Sequence, residues 1–405
     1  MTTSAFAFKL VPNPFHHGVL GISRSLGRLG VAVHANHESR GAPVRASRFD
    51  AEGVIWNEWP GCAEQAVARL LEWAHGQPEP ALLIPADDAA AIAVADHADV
   101  LGDQFVLPRQ DAALARALSN KYELARLCEA HGVPTPRTLA PGGRAELNEA
   151  AEEFAFPVVV KRISGFSPSD IRLPSVRVVS NPTELGRLWD GLDQDQASNV
   201  LVQEYIPRGP LDIWMFNGYF DDDSRCLVGY TGFKVRQYPS GQGPTTLGEC
   251  RENDEVSSAA IRLLSGLGYR GIVDMGFCFD ARDGQYKLLD VNPRVGSTFR
   301  LFVAKSGTDV VRALHADLGN RAVATDDAPD GRRWMVEPYD VLSTLSSGRS
   351  LAKWPASLRG VRELAWFAAD DPRPAAVVAR AMVRKAAGRA VTAINGRGRR
   401  QSTHA

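Results

Sequence analysis

Short apolar runs alternate with helical patterns along the first 110 residues of the chain. Five of the runs predict strands, namely FAFKLVPN, VAVHAN, GVIWNE, ALLIPA and FVLP. Apolar residues at helical spacing lie between them, for example in residues 18–30 and 64–74. Strands that alternate with helices are typical of a parallel sheet covered by helices. Residues 1–110 are therefore predicted to form an N-terminal Rossmann-like parallel α/β domain.

The first predicted strand is followed by the glycine-containing segment HHGVLGISRSLGRLG. Its glycines are not spaced as G-x-G-x-x-G, and no acidic residue follows VAVHAN, so a dinucleotide site is not favoured. We expect a tight strand-to-helix turn instead, where a helix N-terminus can bind a small anion. His16 and His17 precede this turn, either as surface residues or as contacts to a substrate.

From residue 119 the pattern changes. SNKYELARLCEAHG predicts an amphipathic helix, and FPVVVKR, SVRVVS, VLVQEYI, LDIWMFNGYF and LVGYTGFKVRQYP predict strands. A helix near residues 255–267 leads into IVDMGFCFD and YKLLDVNPR, which ARDG joins as a hairpin turn. Residues beyond Arg332 are expected to be less regular, ending in a basic helix.

Composition and charge exclude several classes of protein. The 405 residues contain 46 Lys and Arg against 47 Asp and Glu, which gives no reason to expect a nucleic-acid partner. Five cysteines without CxxC spacing argue against a zinc ribbon, a redox dithiol or a disulfide framework. No secretory signal and no membrane-length apolar run is visible, so the protein is expected to be cytoplasmic.

The segment YKLLDVNPR carries the most specific chemistry. A strand has a period of two residues, so Asp290 and Asn292 are expected on one face. Oxygen ligands from Asp and Asn suit Mg²⁺, which takes its other ligands from phosphate and water. Asp274 on the partner strand can face the same way, and the guanidinium of Arg294 suits phosphate or acyl-phosphate oxygens.

Two further segments add weight to a phosphate-binding site. Lys161 lies in the β-branched run VVVKR, where an unpaired buried ammonium is costly and needs an anionic partner. The run VLVQEYI is broken by Pro207 and Pro210, which leaves backbone groups free for a flat heterocycle. Asp212 then lies where its carboxylate can accept a ribose hydroxyl.

Taken together, NKYELARL, PVVVKR, VLVQEYI with Asp212, and LLDVNPR resemble the ATP-grasp superfamily over residues 109–320. The resemblance implies a two-lobed α+β ATP-grasp domain after the N-terminal domain. Its small lobe would span residues 111–195 and its large lobe, with the metal site, residues 196–325. Residues 326–405 would form a C-terminal extension with a basic helical tail.

The resemblance also implies ATP and Mg²⁺ as cofactors. In that family two lysines bind nucleotide phosphates, which corresponds to Lys121 and Lys161, and an acidic residue holds the ribose, which corresponds to Asp212. The hinge strand contacts adenine through its backbone, and the corresponding residues are Gln203, Glu204, Tyr205 and Ile206.

For catalysis and the metal, the resemblance implies that Asp290 and Asn292 hold Mg²⁺. Arg294 stabilises the transferring phosphoryl group, and Lys234 in GFKVRQYP is a further phosphate-contacting residue. The sequence departs from the family at Gly276, where similar proteins carry a carboxylate. Either Asp274 takes over that ligand role, or the site holds one metal less tightly.

The implied activity is an ADP-forming ligase that joins a small-molecule carboxylate to an amine through an acyl phosphate. Peptide-ligase-like and D-aspartate-ligase-like substrates both fit this layout. The alternatives are a phosphotransferase on the same scaffold and a non-catalytic nucleotide-binding protein. Residues 163–174 are expected to contribute to the pocket, and the candidates for binding a substrate carboxylate are Tyr230, Arg236 and Arg300.

The near-zero net charge conceals a basic tail. Residues 372–405 hold eight of the 46 basic residues and no Asp or Glu, which leaves 38 basic against 47 acidic residues before them. PAAVVARAMVRKAAGRAV predicts a helix with Val378 and Met382 on one side and Arg380 and Arg384 on another. It is either a solubilising tail or a segment that contacts anionic membrane or a lipid-linked substrate.

Overall fold

A computed structural model describes residues 4–385, apart from 57, 164–175, 210, 241–242 and 349–350. The predicted loop of residues 163–174 lies almost entirely outside the described residues, as does the tail after residue 385. No helix in the described part of the chain is long and apolar enough to cross a membrane.

The N-terminal unit is a five-stranded parallel sheet in the order β3-β2-β1-β4-β5. The strands are β1 (Ser4–Phe8), β2 (Ala32–His37), β3 (Val54–Ile55), β4 (Ala81–Pro85) and β5 (Phe105–Val106). The helices are α1 (His17–Gly27), α2 (Ala63–His75), α3 (Asp88–Asp96) and α4 (Ala98–Gly102). Strands β1 and β4 are apolar apart from Ser4, because helices cover both faces of the sheet. The predicted parallel α/β domain is confirmed.

Two helices, α5 (Ala112–Ser119) and α6 (Lys121–Ala130), lead into a smaller antiparallel sheet. Asn120 begins α6 by accepting hydrogen bonds from the amides of Tyr122 and Glu123. The sheet order is β6-β9-β7-β8, with β6 (Thr138–Leu139), β7 (Val158–Arg162), β8 (Val176–Val179) and β9 (Val200–Glu204). One face is covered by α7 (Arg144–Glu153) and α8 (Pro182–Asp190), and α9 (Gln194–Ser198) precedes β9.

The largest sheet has seven strands in the order β14-β13-β10-β11-β12-β15-β16. They are β10 (Ile213–Phe220), β11 (Cys226–Gln237), β12 (Thr245–Cys250), β13 (Gly271–Asp280), β14 (Gln285–Asn292), β15 (Arg333–Met335) and β16 (Val361–Leu364). The helices are α10 (Asp254–Gly266), α11 (Val310–Leu318), α12 (Glu337–Ser346) and α13 (residues 373–385). Two sheets of this kind confirm the predicted two-lobed α+β domain.

The expectation of irregular structure beyond Arg332 was wrong. Strands β15 and β16 extend the large sheet, because Trp334 and Met335 bury their side chains in the body of the protein. Strand β12 was not predicted either, although all six of its residues are buried.

The N-terminal unit and the seven-stranded sheet share one hydrophobic cluster, whereas the four-stranded sheet has its own. Val19 of α1, Met215 of β10 and Trp334 of β15 belong to the same buried cluster, as does Val378 of α13. Met382 packs against that cluster, whereas Arg380 and Arg384 are exposed. The apolar side of the basic helix is therefore covered by the protein itself. Membrane contact through the tail stays a prediction.

A buried ion pair fastens the C-terminal segment to α1. The guanidinium of Arg24 donates to Oδ2 of Asp371 at 2.9 Å and to the carbonyls of Ala365 and Trp366. Both partners of the pair are about 1% exposed. Nearby, Arg28 and Asp370 form a similar pair at the surface. The same two segments are thus joined by one buried and one exposed pair.

Replacing Asp371 by Asn is expected to lower the free energy of unfolding by about 3 kcal/mol, because it leaves the buried guanidinium without its counter-charge. The matched change Asp370→Asn removes an exposed pair and is expected to cost less than about 1 kcal/mol. Thermal and urea unfolding of both variants measures the difference. Equal losses of unfolding free energy would show that the buried pair is not the main interaction between the two segments.

Candidate active site

A cavity of about 360 Å³ lies between the four-stranded and the seven-stranded sheets. Strands β7 and β8 line it on one side, and β10, β11, β13 and β14 on the other. Seven of the predicted site residues line this single space: Lys121, Lys161, Lys234, Asp274, Asp290, Asn292 and Arg294. They come from four separate segments of the sequence, so the fold brings together what the motifs predicted.

The acidic end of the cavity is built on the β13–β14 hairpin. In its register Asp274 lies opposite Asn292, which places both side chains on one face with Asp290. The Asn292 amide donates to Oδ2 of Asp290 at 3.0 Å and to the Asp274 carbonyl at 3.1 Å. This confirms the prediction that Asp290 and Asn292 share a face.

Asp274 is held by hydrogen bonds through both carboxylate oxygens. Its Oδ1 accepts from the amide of Asn217 at 2.7 Å, and its Oδ2 accepts from Nη1 of Arg294 at 3.1 Å. Burial raises the pKa of Asp274, although the charge of Arg294 opposes the shift. Asp274 thus orients Arg294, and its role as a metal ligand stays a prediction.

The glycine at position 276 has a direct structural reason. Gly276 lies opposite Asp290 in the hairpin register, and a Cβ added to it would come within 2.5 Å of Oδ1 of Asp290. The Asp290 carboxylate therefore lies over the glycine and fills the space that a side chain at position 276 would take. The departure from the family pattern is an accommodation of Asp290.

The basic end of the cavity is formed by buried lysines. Lys161 on β7 donates to Oε1 of Gln203 at 2.6 Å. Within the described residues it has no ion-pair partner within 4 Å. Burial lowers its pKa to about 8, against the attraction of Asp290. Burial also lowers the pKa of Lys234. The expected anionic partner of Lys161 is thus not a nearby carboxylate, and its ammonium is ready for an anionic ligand.

The predicted hinge lies beside the cavity. Glu204 ends β9; its amide donates to the Arg137 carbonyl at 2.9 Å and its carboxylate pairs with Arg282 at 2.6 Å. Asp212 accepts a hydrogen bond from the Gly209 amide. The predicted hinge and ribose residues do not line the cavity: Gln203, Glu204, Tyr205, Ile206 and Asp212. Gln203 is linked to the cavity by its hydrogen bond with Lys161. The adenine and ribose contacts stay predictions.

Sequence reasoning missed several residues that line the same space. Arg208 is one of them, and its charge further lowers the pKa of Lys161 and Lys234. The signal for it was its position directly after the hinge, between Pro207 and Pro210. The others contribute small or amide side chains: Gln237, Thr245, Ser297 and Thr298.

The candidates for a substrate carboxylate have other roles. Arg236 donates twice to Asp340, at 2.8 and 2.7 Å, and Arg300 pairs with Glu363 at 2.8 Å. Tyr230 is buried in the core, and none of the three lines the cavity. The two arginines are therefore engaged in ion pairs inside the protein, whereas the buried Tyr230 hydroxyl has no hydrogen-bond partner among the described residues.

The glycine-containing turn does not leave an open anion site. The ring of His16 caps α1 by accepting from the Val19 amide at 3.2 Å, and its other nitrogen lies 3.1 Å from the Ala86 carbonyl. Burial lowers the pKa of His16 to about 3 and that of His17 to about 4, so both rings are neutral. The imidazole of His16 thus caps this helix N-terminus, and anion binding at the turn stays a prediction.

No family model matches the chain. Over 347 residues it is 24% identical to D-aspartate ligase from Enterococcus faecium. The aligned region covers 80% of this chain and 81% of that protein. The chain is also 25% identical over 202 residues to D-alanine–D-alanine ligase B from Pseudomonas putida, and spans 58% of that protein.

Solved structures share the fold. The ADP complex of N5-carboxyaminoimidazole ribonucleotide synthetase superimposes with a TM-score of 0.60 at 12% identity, covering 80% of this chain and 79% of that one. The biotin carboxylase domain of Hydrogenobacter thermophilus 2-oxoglutarate carboxylase gives 0.62 at 15% identity, covering 82% and 73%. The chain is thus similar in sequence to carboxylate–amine ligases, as the predicted resemblance implied. The shared fold confirms the predicted fold class.

Because the pKa of Lys161 is lowered, the affinity of the protein for ADP is expected to depend on pH. With a pKa of about 8, only about one tenth of the free protein carries the Lys161 proton at pH 9. Calorimetric titration with Mg·ADP at pH 7 and pH 9 should show weaker binding at the higher pH. The variant Lys161→Arg keeps its charge and is expected to flatten this dependence. If the affinity for Mg·ADP changed equally with pH in both proteins, Lys161 would not be the group that causes the dependence.

Gly276→Ala is expected to displace the Asp290 carboxylate while leaving the fold intact. The Mg²⁺ concentration needed for half-maximal nucleotide binding should then rise by about tenfold, since one oxygen ligand has moved. The control is Gly143→Ala, because a Cβ at Gly143 meets no atom within 4 Å. An unchanged Mg²⁺ dependence in the first variant would show that Asp290 does not contact the metal.

Proposed function

We propose that the protein is an ATP- and Mg²⁺-dependent ligase that joins a carboxylate to an amine, releasing ADP and phosphate. The observation that carries the proposal is the polarity of the 360 Å³ cavity. Lys161 and Lys234, which both have lowered pKa values, line it together with Asp290, Asn292 and Arg294. A nucleoside triphosphate with its bound metal ion carries negative and positive charges that these side chains can bind.

The nucleotide would lie between the two sheets. Lys121, Lys161 and Lys234 would contact its phosphates, and the desolvated ammonium groups would recover their counter-charge on binding. Apolar side chains line the same cavity and can enclose the flat base: Val176, Ile213, Met215 and Leu289. The hinge residues after β9 would then face the base edge.

The residues at the acidic end fit a hard divalent cation. Asp290 and Asn292 provide a carboxylate and an amide oxygen on adjacent face positions, and Mg²⁺ takes few protein ligands when phosphates are present. Within the described residues there is no group of three or more His, Cys, Asp or Glu able to hold a metal. Asp290 and Asn292 would hold Mg²⁺, which would supply positive charge to offset that of the phosphates.

Positioning and charge stabilisation are what this chain contributes to the chemistry. An oxygen of the substrate carboxylate attacks the γ-phosphorus, the bond to the β-phosphate oxygen breaks, and ADP leaves. The nitrogen of the amine then attacks the acyl carbon and expels inorganic phosphate. Arg294 and Lys234 would stabilise the charge on the transferring phosphoryl oxygens, while the two sheets exclude water from the acyl phosphate.

The class of acid is inferred from the relative that aligns over most of the chain. The alignment with D-aspartate ligase covers four fifths of both proteins, so an acidic D-amino acid is the first carboxylate to test. The amine is a small molecule of unspecified structure, and hydroxylamine can replace it as a general nucleophile.

The test measures ADP release from Mg·ATP with a panel of carboxylates, starting with D-aspartate, with hydroxylamine present. We expect one acid to stimulate ADP release and to give its hydroxamate. Asp290→Asn should lower the rate at least about a hundredfold. The control Asp283→Asn lies in the same hairpin, outside the cavity, and should leave the rate unchanged.

Other outcomes separate the alternatives. Release of AMP and pyrophosphate would overturn the ligase proposal. A stable phosphorylated product, formed equally without hydroxylamine, would identify a phosphotransferase instead. Nucleotide binding without turnover for any acid would favour a non-catalytic binding protein.

A further inference from the structure

Arg294 is held between carboxylates that come from two different parts of the chain. Its Nε donates to Oδ1 of Asp88 at 3.0 Å, and its Nη1 donates to Oδ2 of Asp274 at 3.1 Å. The Arg294 side chain is 17% exposed, so little of the guanidinium is open to water. Asp274 belongs to the large sheet, whereas Asp88 belongs to the N-terminal unit and precedes Arg294 by 206 residues.

The backbone that carries Asp88 is firmly fixed. Asp88 is the first residue of α3, and the preceding Asp87 caps that helix by accepting from the Ala90 amide at 2.8 Å. The other oxygen of Asp87 accepts from the amides of Leu10 and Val11, which ties the loop after β1 to the same point. The position of the Asp88 carboxylate is therefore set by the N-terminal unit.

The N-terminal unit also contacts the segment that follows Arg294. The Val295 amide donates to the Pro85 carbonyl at 3.4 Å, and the Gly18 position lies against the Ser297 backbone. Asp88 additionally lines a second cavity of about 230 Å³, which shares Lys121, Asp290 and Asn292 with the main cavity. Asp88 therefore lies directly beside the residues that are proposed to bind the metal and the phosphates.

We propose that Asp88 is a positioning residue that sets the orientation of the Arg294 guanidinium for phosphoryl transfer. Two carboxylates fix the planar guanidinium at two of its nitrogens, whereas without Asp88 the remaining contacts, to Asp274 and the Val295 carbonyl, are both made through Nη1. The N-terminal unit thereby forms part of the catalytic apparatus. The proposal rests on the ligase function proposed above.

A double-mutant cycle tests this role, using ADP release with the acid found in the panel. Asp88→Asn is expected to lower kcat about 10- to 100-fold, since a small misplacement of a catalytic group has effects of this size. The KM for ATP should change by less than about threefold, and Asp88→Glu should restore part of the rate.

The decisive comparison is in the Arg294→Gln background, where adding Asp88→Asn should cause no further loss. Losses that multiply in the double variant, or an unchanged kcat in Asp88→Asn, would overturn the proposal. The control is Asp370→Asn, which breaks another Arg–Asp pair, between α1 and the C-terminal segment and outside the cavity, and should leave kcat unchanged.

A second measurement does not depend on turnover. The Nε–H signal of Arg294 in ¹⁵N spectra, assigned by its loss in Arg294→Gln, should shift and exchange faster with solvent in Asp88→Asn. An unmoved signal would overturn the positioning role even in an active enzyme. If the wild-type protein releases no ADP with any acid while the signal moves as expected, the proposed function fails and the Asp88–Arg294 contact stands.

Discussion

The buried ammonium of Lys161 sets the conditions for the rest of the site. Strand β7 lies between β8 and β9, so Lys161 is fixed on a central strand and cannot turn out to solvent. Its hydrogen-bond acceptor is the neutral amide of Gln203, and its pKa is lowered by burial. The free-energy cost of keeping this charge out of water is recovered when an anion enters the cavity. Asp290 on the opposite wall limits the cost without neutralising it.

The opposite wall divides its polar groups between two tasks. Asp274 uses both oxygens to hold Asn217 and Arg294, and Asp290 lies over Gly276 with an oxygen directed toward Asn292. A residue with a side chain at position 276 would force Asp290 away from this position. The hairpin thus carries one carboxylate that orients Arg294 and a second that is proposed to bind the metal, at neighbouring register positions of two strands.

The sequence predicted these residues where the signal was local. A period of two in YKLLDVNPR placed Asp290 and Asn292 on one face, and the apolar run before Lys161 indicated a buried lysine. The reason for Gly276 could not be predicted, because it depends on a cross-strand register. The pairing of Asp88 with Arg294 spans 206 residues and leaves no local pattern. Strands β15 and β16 were missed because three or four residues carry too little periodicity.

The pairing of Arg24 with Asp371 has a consequence for how the protein is made. Arg24 lies in the first helix, and its counter-charge is added 347 residues later. During synthesis the N-terminal unit therefore emerges from the ribosome with an arginine that has no partner and with the apolar surface of α1 uncovered. Its final closure must wait until Trp366 and Asp371 have been translated, because the shared core contains side chains from both ends of the chain. The N-terminal unit therefore lacks part of its native stabilisation until the C-terminal segment has been translated.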